Sequence, residues 1–158
     1  MVQENAYKFY FQEVEKKNGE WVLKPNTKKD LEVDFSGCIR YSKAEGINNI
    51  GKPRIYTETY ADSDQLRVYV PTEIANDATK VVFTLYFFGE NRYKAYNEFN
   101  DYIRNGVHRY WDTARNRYFH FVVADEIKIS SEQWYGSLPL FEVQYTFQNL
   151  NGRTFEQD

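Results

Sequence analysis

Histidine, cysteine and paired carboxylates are the side chains that most often hold metals or move protons, and this chain spaces them poorly for either task. Its two histidines, His108 and His120, are not at the i, i+4 spacing of a helical metal pair, and the single cysteine, Cys38, has no second thiol to join them. A Cys-rich zinc site and an internal disulfide framework are therefore excluded. His120 shares a strand face with Tyr118 and Val122, which predicts a satisfied structural imidazole. Cys38, between Gly37 and Ile39, lacks any local signature of a catalytic thiol and reads as a small buried apolar residue. Asp125-Glu126 is the nearest pair of acids for glycosidase-type chemistry, but neighbours on a strand point to opposite faces. Asp62-Ser63-Asp64 is a fragment of a calcium loop without the rest, and reads as a solvated turn. No Gly-x-Ser-x-Gly elbow and no phosphate-cradling glycine loop occurs. The expectation is a protein without catalytic residues, metal or cofactor, and an enzyme would need carboxylates brought together only in space.

Aromatic side chains remain. The 158 residues include 14 Tyr, 12 Phe and 3 Trp, 18% of the chain. Such rings bury large areas and favour strands. Arg104, Arg109, Arg115 and Arg117 interleave with Tyr110, Trp111, Tyr118 and Phe119, the ingredients of a single-strand nucleic-acid platform. Twenty basic against 23 acidic residues give a net charge of −3, however, and Asp101, Asp112, Asp125 and Glu126 dilute the local field. Core aromatics beside a charged turn is the preferred reading, with no specific nucleic-acid binding. Trp111 and Trp134-Tyr135-Gly136 could stack on sugars, and exposed rings with Arg are also what protein contacts enrich.

The elements that position these residues are mostly strands. Asn18-Gly19 between apolar runs signals a hairpin. Leu31 to Phe35 alternates as a half-buried strand does, and Ser42 to Pro53, polar with Gly46 and Gly51, predicts an exposed mobile loop. Arg54 to Tyr60 and Leu66 to Val70 are further strand signals, the second stopped by Pro71. KVVFTLYFF, residues 80–88, is apolar on both faces and predicts a central strand covered on both sides. Tyr93, Tyr96, Phe99 and Ile103 then define one helical stripe, with Asn91 as N-cap and Asn105-Gly106 as the stop. Arg109 to Thr113 and Arg117 to Ala124 flank the turn 113–116. Phe141, Val143, Tyr145 and Phe147 alternate with polar residues in the cleanest half-buried strand. The sum is one mainly β (α+β) domain over 1–158: an antiparallel sandwich or barrel with one flanking α-helix at about 92–104. No run approaches the roughly 20 apolar residues of a membrane span, and the start has no signal-peptide pattern.

KVVFTLYFFG, ENRYKAYNEFNDYI, RYWDTARNRYFHFVV, the strand with Ile127 and Ile129, and FEVQYTFQNLNG follow one another in an order that resembles the N-terminal domain of phage distal tail proteins. More loosely, it resembles the tail-tube fold of related injection machines. The likeness spans roughly residues 66–152 and rests on element order. It implies a β-sandwich with one flanking helix, no catalysis, and a structural phage or prophage component. Such a protein joins copies of itself into a ring, often hexameric, and contacts other tail proteins. It would sit in the host cytoplasm during assembly and then in the virion tail. With no second module after the domain, a tube-like or hub-like role is expected, and an acidic balance suits a lumen that does not grip DNA. The loop 42–53 and the turn 113–116 are the expected contact segments, with Trp111, Arg115, Trp134 and Tyr135 as contact residues. The alternative is a β-sandwich that recognises glycans through surface aromatics.

Overall fold

The computed structural model of the chain describes residues 7–54, 56–59, 66–69 and 75–157. Strand β1 (Phe9–Lys17) turns into β2 (Glu20–Leu23) with Lys17 opposite Glu20. Asn18 and Gly19 have φ of 53° and 81°, the two left-handed residues that a tight type I′ connection needs, so the Asn-Gly signal is realised. A short β3 (Lys29–Asp30) returns to pair with Tyr10 and Phe11. Leu31 to Phe35 is not a strand. The Asp30 carboxylate accepts the Glu32 N–H at 3.1 Å and the Asp30 carbonyl accepts the Asp34 N–H at 2.9 Å, closing a helical turn. An alternating pentapeptide also places its ends at i and i+4. The capping Asp30 decides between the two periods, burying Leu31 and Phe35 and leaving Val33 exposed.

Strand β4 (Ile39–Glu45) contains Ser42 to Glu45, which the sequence places in a loop; Lys43 to Glu45 pair with β7 (Thr79–Phe88), and Ser42 is the bulge between Tyr41 and Lys43. The rest of that polar stretch is anchored too. Ile47 is buried, Gly51 N–H donates to the Gly152 carbonyl at 2.8 Å, and Asp77 N–H donates to the Lys52 carbonyl at 2.7 Å. A Cβ on Gly51 or Gly152 would overlap the Asp77 carbonyl oxygen, so both glycines serve close backbone approach. Beyond this latch, β5 (Tyr56–Thr59) and β6 (Leu66–Tyr69) pair with each other and, among the described residues, with no other strand. Asp62-Ser63-Asp64 and Pro71 lie outside the described residues.

After β7 come helix α1 (Arg92–Ile103), β8 (Val107–Asp112), β9 (Arg117–Val123), β10 (Lys128–Ile129), β11 (Gln133–Tyr135), β12 (Leu138–Asn149) and β13 (Phe155–Glu156). The main sheet is antiparallel in the order β2-β1-β8-β9-β12-β7-β4, with the shorter strands added alongside. β12 is its spine. One edge pairs with β7 from Leu140 to Asn149, while β9, β10 and β11 pair in turn along the other. The sheet rolls without closing. Phe11 on β1 meets Phe83 on β7 at 6.5 Å, and Phe9 stacks on Tyr41 of β4 at 4.1 Å, so its two halves oppose each other as sandwich layers do.

The helix packs onto this interior, with Phe99 meeting Phe11, Phe35 and Tyr145 edge-on at 5.5, 5.1 and 5.1 Å. Its buried face is Ala95, Phe99, Asn100 and Ile103, rotated from the predicted stripe: Tyr93 is 48% exposed and Tyr96 only half-buried. Those two rings flank Phe141, and the buried amide of Asn100 accepts the Tyr145 hydroxyl at 2.9 Å. That bond is what lets a polar residue replace an aromatic one in the core. Asn91 stands at the N-cap without a side-chain capping bond, and Gly106, at φ 83°, turns the chain away. β7 also differs from expectation. Val81, Phe83, Leu85 and Phe87 are core, but on the opposite face Thr84 alone is buried, and Val82, Tyr86 and Phe88 are half-buried.

Candidate contact surfaces

Of the four residues singled out by sequence, Trp134 and Tyr135 fall on one surface and Trp111 on another, while Arg115 closes a hairpin. Trp134 and Tyr135 lie on β11, in a hairpin whose turn at Gly136 (φ 62°) leads into β12. Every residue from Gln133 to Leu138 is exposed, Trp134 by 69% and Tyr135 by 79%. β11 pairs with β12 on one edge and with no described strand on the other. The base of this arm is pinned to the helix: the Glu132 carboxylate accepts Arg92 at 3.0 Å and the Tyr93 hydroxyl. Those two donors, the tyrosine hydroxyl first, hold Glu132 below the ordinary carboxylate range. Gly89 N–H adds a bond to the Pro139 carbonyl at 2.9 Å. Two large rings are thus presented on a fixed stem.

Trp111 lies toward the other end of the sheet, on the outer face. Register places Tyr10, Trp111, Tyr118 and Phe155 in one row across β1, β8, β9 and β13. Tyr10 stacks on Trp111 at 4.9 Å and Tyr118 on Phe155 at 5.5 Å. The Lys28 ammonium sits over Tyr10 at 4.2 Å and Trp111 at 5.0 Å, and the Arg109 guanidinium over Tyr118 at 3.6 Å. Between them lies a cavity of about 120 Å³, lined by Tyr10, Gln12, Leu23, Lys28, Arg109 and Trp111, with Gln157 at its rim bonded to Arg109. The Trp111 indole N–H is buried and has no hydrogen-bond partner among the described residues. Sequence reasoning picked out Trp111 but missed Tyr10, Lys28 and Phe155. The Phe9-Tyr10-Phe11 alternation puts Tyr10 on the outer face, but only register brings it beside Trp111.

Arg115 is spent within its own turn. Its backbone N–H donates to Asp112 Oδ1 at 2.6 Å and its guanidinium to Oδ2 at 2.8 Å, where the Tyr110 hydroxyl also donates at 2.7 Å. Asp112 is fully buried, so this cluster closes the β8–β9 hairpin. Burial and then Asp112 raise the Tyr110 hydroxyl well above its ordinary range.

The residues considered for chemistry stay apart. His120 is nearly buried between Trp21 and Tyr118, with the Asn151 amide 3.4 Å from Nδ1; burial and then Arg109 lower its pKa to about 4. His108 is fully buried against Tyr102 and Phe121, and burial lowers it also. Cys38 is half-buried, its thiol directed to the Ser36 carbonyl, rather than fully in the core. Asp125 and Glu126 are both exposed. Among the described residues, no three His, Cys, Asp or Glu side chains gather to hold a metal, and no helix is long and apolar enough to cross a membrane. Comparison with family models and with curated proteins finds no match to the chain.

Proposed function

We propose that this chain is a structural, non-enzymatic component of a phage or prophage tail that works by assembling with copies of itself into a ring. The observation that carries the self-association is the arm: Trp134 and Tyr135 stand exposed on an edge strand whose base is held by Glu132, Arg92 and Tyr93. Large rings presented on a fixed stem lose little conformational entropy on docking, which is the profile of interface anchors. The likeness to distal tail proteins supplies the kind of assembly, through its order of strand, helix, hairpin and long closing strand. On this reading the protein assembles in the host cytoplasm and ends in the virion tail beside other tail proteins.

Mass photometry, chemical cross-linking and negative-stain imaging over a concentration series test it. Closed rings of uniform stoichiometry are expected, and a strict monomer at high concentration overturns the reading. The same exposed Trp134 also suits a glycan-stacking module. A glycan array comparing the parent chain with Trp134→Ala separates the two, since a ring component ignores sugars.

A further inference from the structure

A ring built from one kind of subunit needs two different, complementary patches on each copy, because a self-complementary patch stops at a dimer. The molecule carries two aromatic patches far apart along the sheet. Register puts Trp134 opposite Pro139 at the start of β12, whereas Trp111 faces Tyr118 on β9, whose later residue Phe121 already pairs with Asn149 at the end of β12. One patch protrudes and the other is recessed.

Resting on the ring reading above, we propose that the Trp134-Tyr135 arm of one copy docks on the Tyr10–Trp111–Lys28 recess of the next. Two features of the recess select this occupant. Its volume of about 120 Å³ is of the order of the cavities that hold a single aromatic ring. Lys28 pairs with no carboxylate among the described residues, and its ammonium already lies over two rings, so a third from the arm completes a cation–π cage. Charge does not oppose the docking: Glu132, already paired with Arg92, is the one charged residue of 129–138, so no cation of that stretch faces Lys28 and Arg109 of the recess.

The test uses two variants altered only at exposed side chains: Trp134→Ala with Tyr135→Ala in the arm, and Lys28→Glu in the recess. Thermal melts confirm that each folds as the parent does. Sedimentation velocity should show each variant alone mostly monomeric, with self-association weakened about tenfold or more. Mixed together, they should form dimers and nothing larger, because one arm and one recess survive per pair. If both variants still form rings like the parent, or if the mixture stays monomeric, the arm-to-recess pairing is wrong while the ring reading stands. A parent chain that never self-associates overturns both.

Discussion

The imidazole of His120 links burial to pH. Its folded pKa near 4 lies below the ordinary value of 6.5, so between these values the unfolded chain binds a proton that the folded chain refuses. Stability therefore rises with pH across that window, is complete above about 6.5, and declines by up to about 3 kcal/mol on acidification to 4. His108 acts in the same direction. Denaturation midpoints from pH 7 to 4 should fall less steeply in His120→Gln than in the parent; equal slopes would mean that His120 is protonated in the fold. Asp112 makes the complementary case of a buried charge. Removing its carboxylate leaves Arg115 and Tyr110 without their shared acceptor. Asp112→Ala should cost about 3 kcal/mol, toward the low end for a broken buried pair because the Arg115 side chain is 33% exposed. A urea midpoint matching the parent's would contradict this.

Among the elements, α1 holds the interior through Phe99, which meets Phe11, Phe35 and Tyr145. Phe99→Ala should destabilise by about 4 kcal/mol, read in a urea titration, whereas Tyr93→Ala, on the exposed flank, should cost far less. Equal losses would restore the stripe predicted from spacing. That stripe shows how far the elements were legible. The helix, the Asn18-Gly19 hairpin, the β8–β9 hairpin and the alternation of β12 follow from local pattern and match the structure. What local pattern missed was which way the helix faces, because Asn100 is tolerated only through the Tyr145 hydroxyl. It also missed the turn at Leu31–Phe35, which Asp30 caps, and the latch in the polar stretch. Gly51 looked like a loop glycine, yet its place is against the Asp77 backbone. Gly51→Ala should cost about 1–3 kcal/mol, the range for forced overpacking, and a melt that equals the parent's would count against the latch.

At the scale of the whole molecule, assembly through aromatic rings predicts weak dependence on salt. Raising ionic strength from about 0.1 to 1 M shortens the screening length from about 10 to about 3 Å. Rings held mainly by stacked Trp134 and Tyr135 should persist, as mass photometry after dilution from high salt would record. Dissolution in salt would assign the ring to charge pairs instead. Composition and periodicity by themselves determined that this is a mainly antiparallel β domain with one helix, since ring content and period-two alternation are local properties of the chain. Only the tertiary structure decided that Trp111 does not share a surface with Trp134 and Tyr135, and that Arg115 is spent on the buried Asp112. It also set a recess of Tyr10, Lys28 and Trp111 on the outer face, because strand register joins residues a hundred positions apart and no local pattern encodes it.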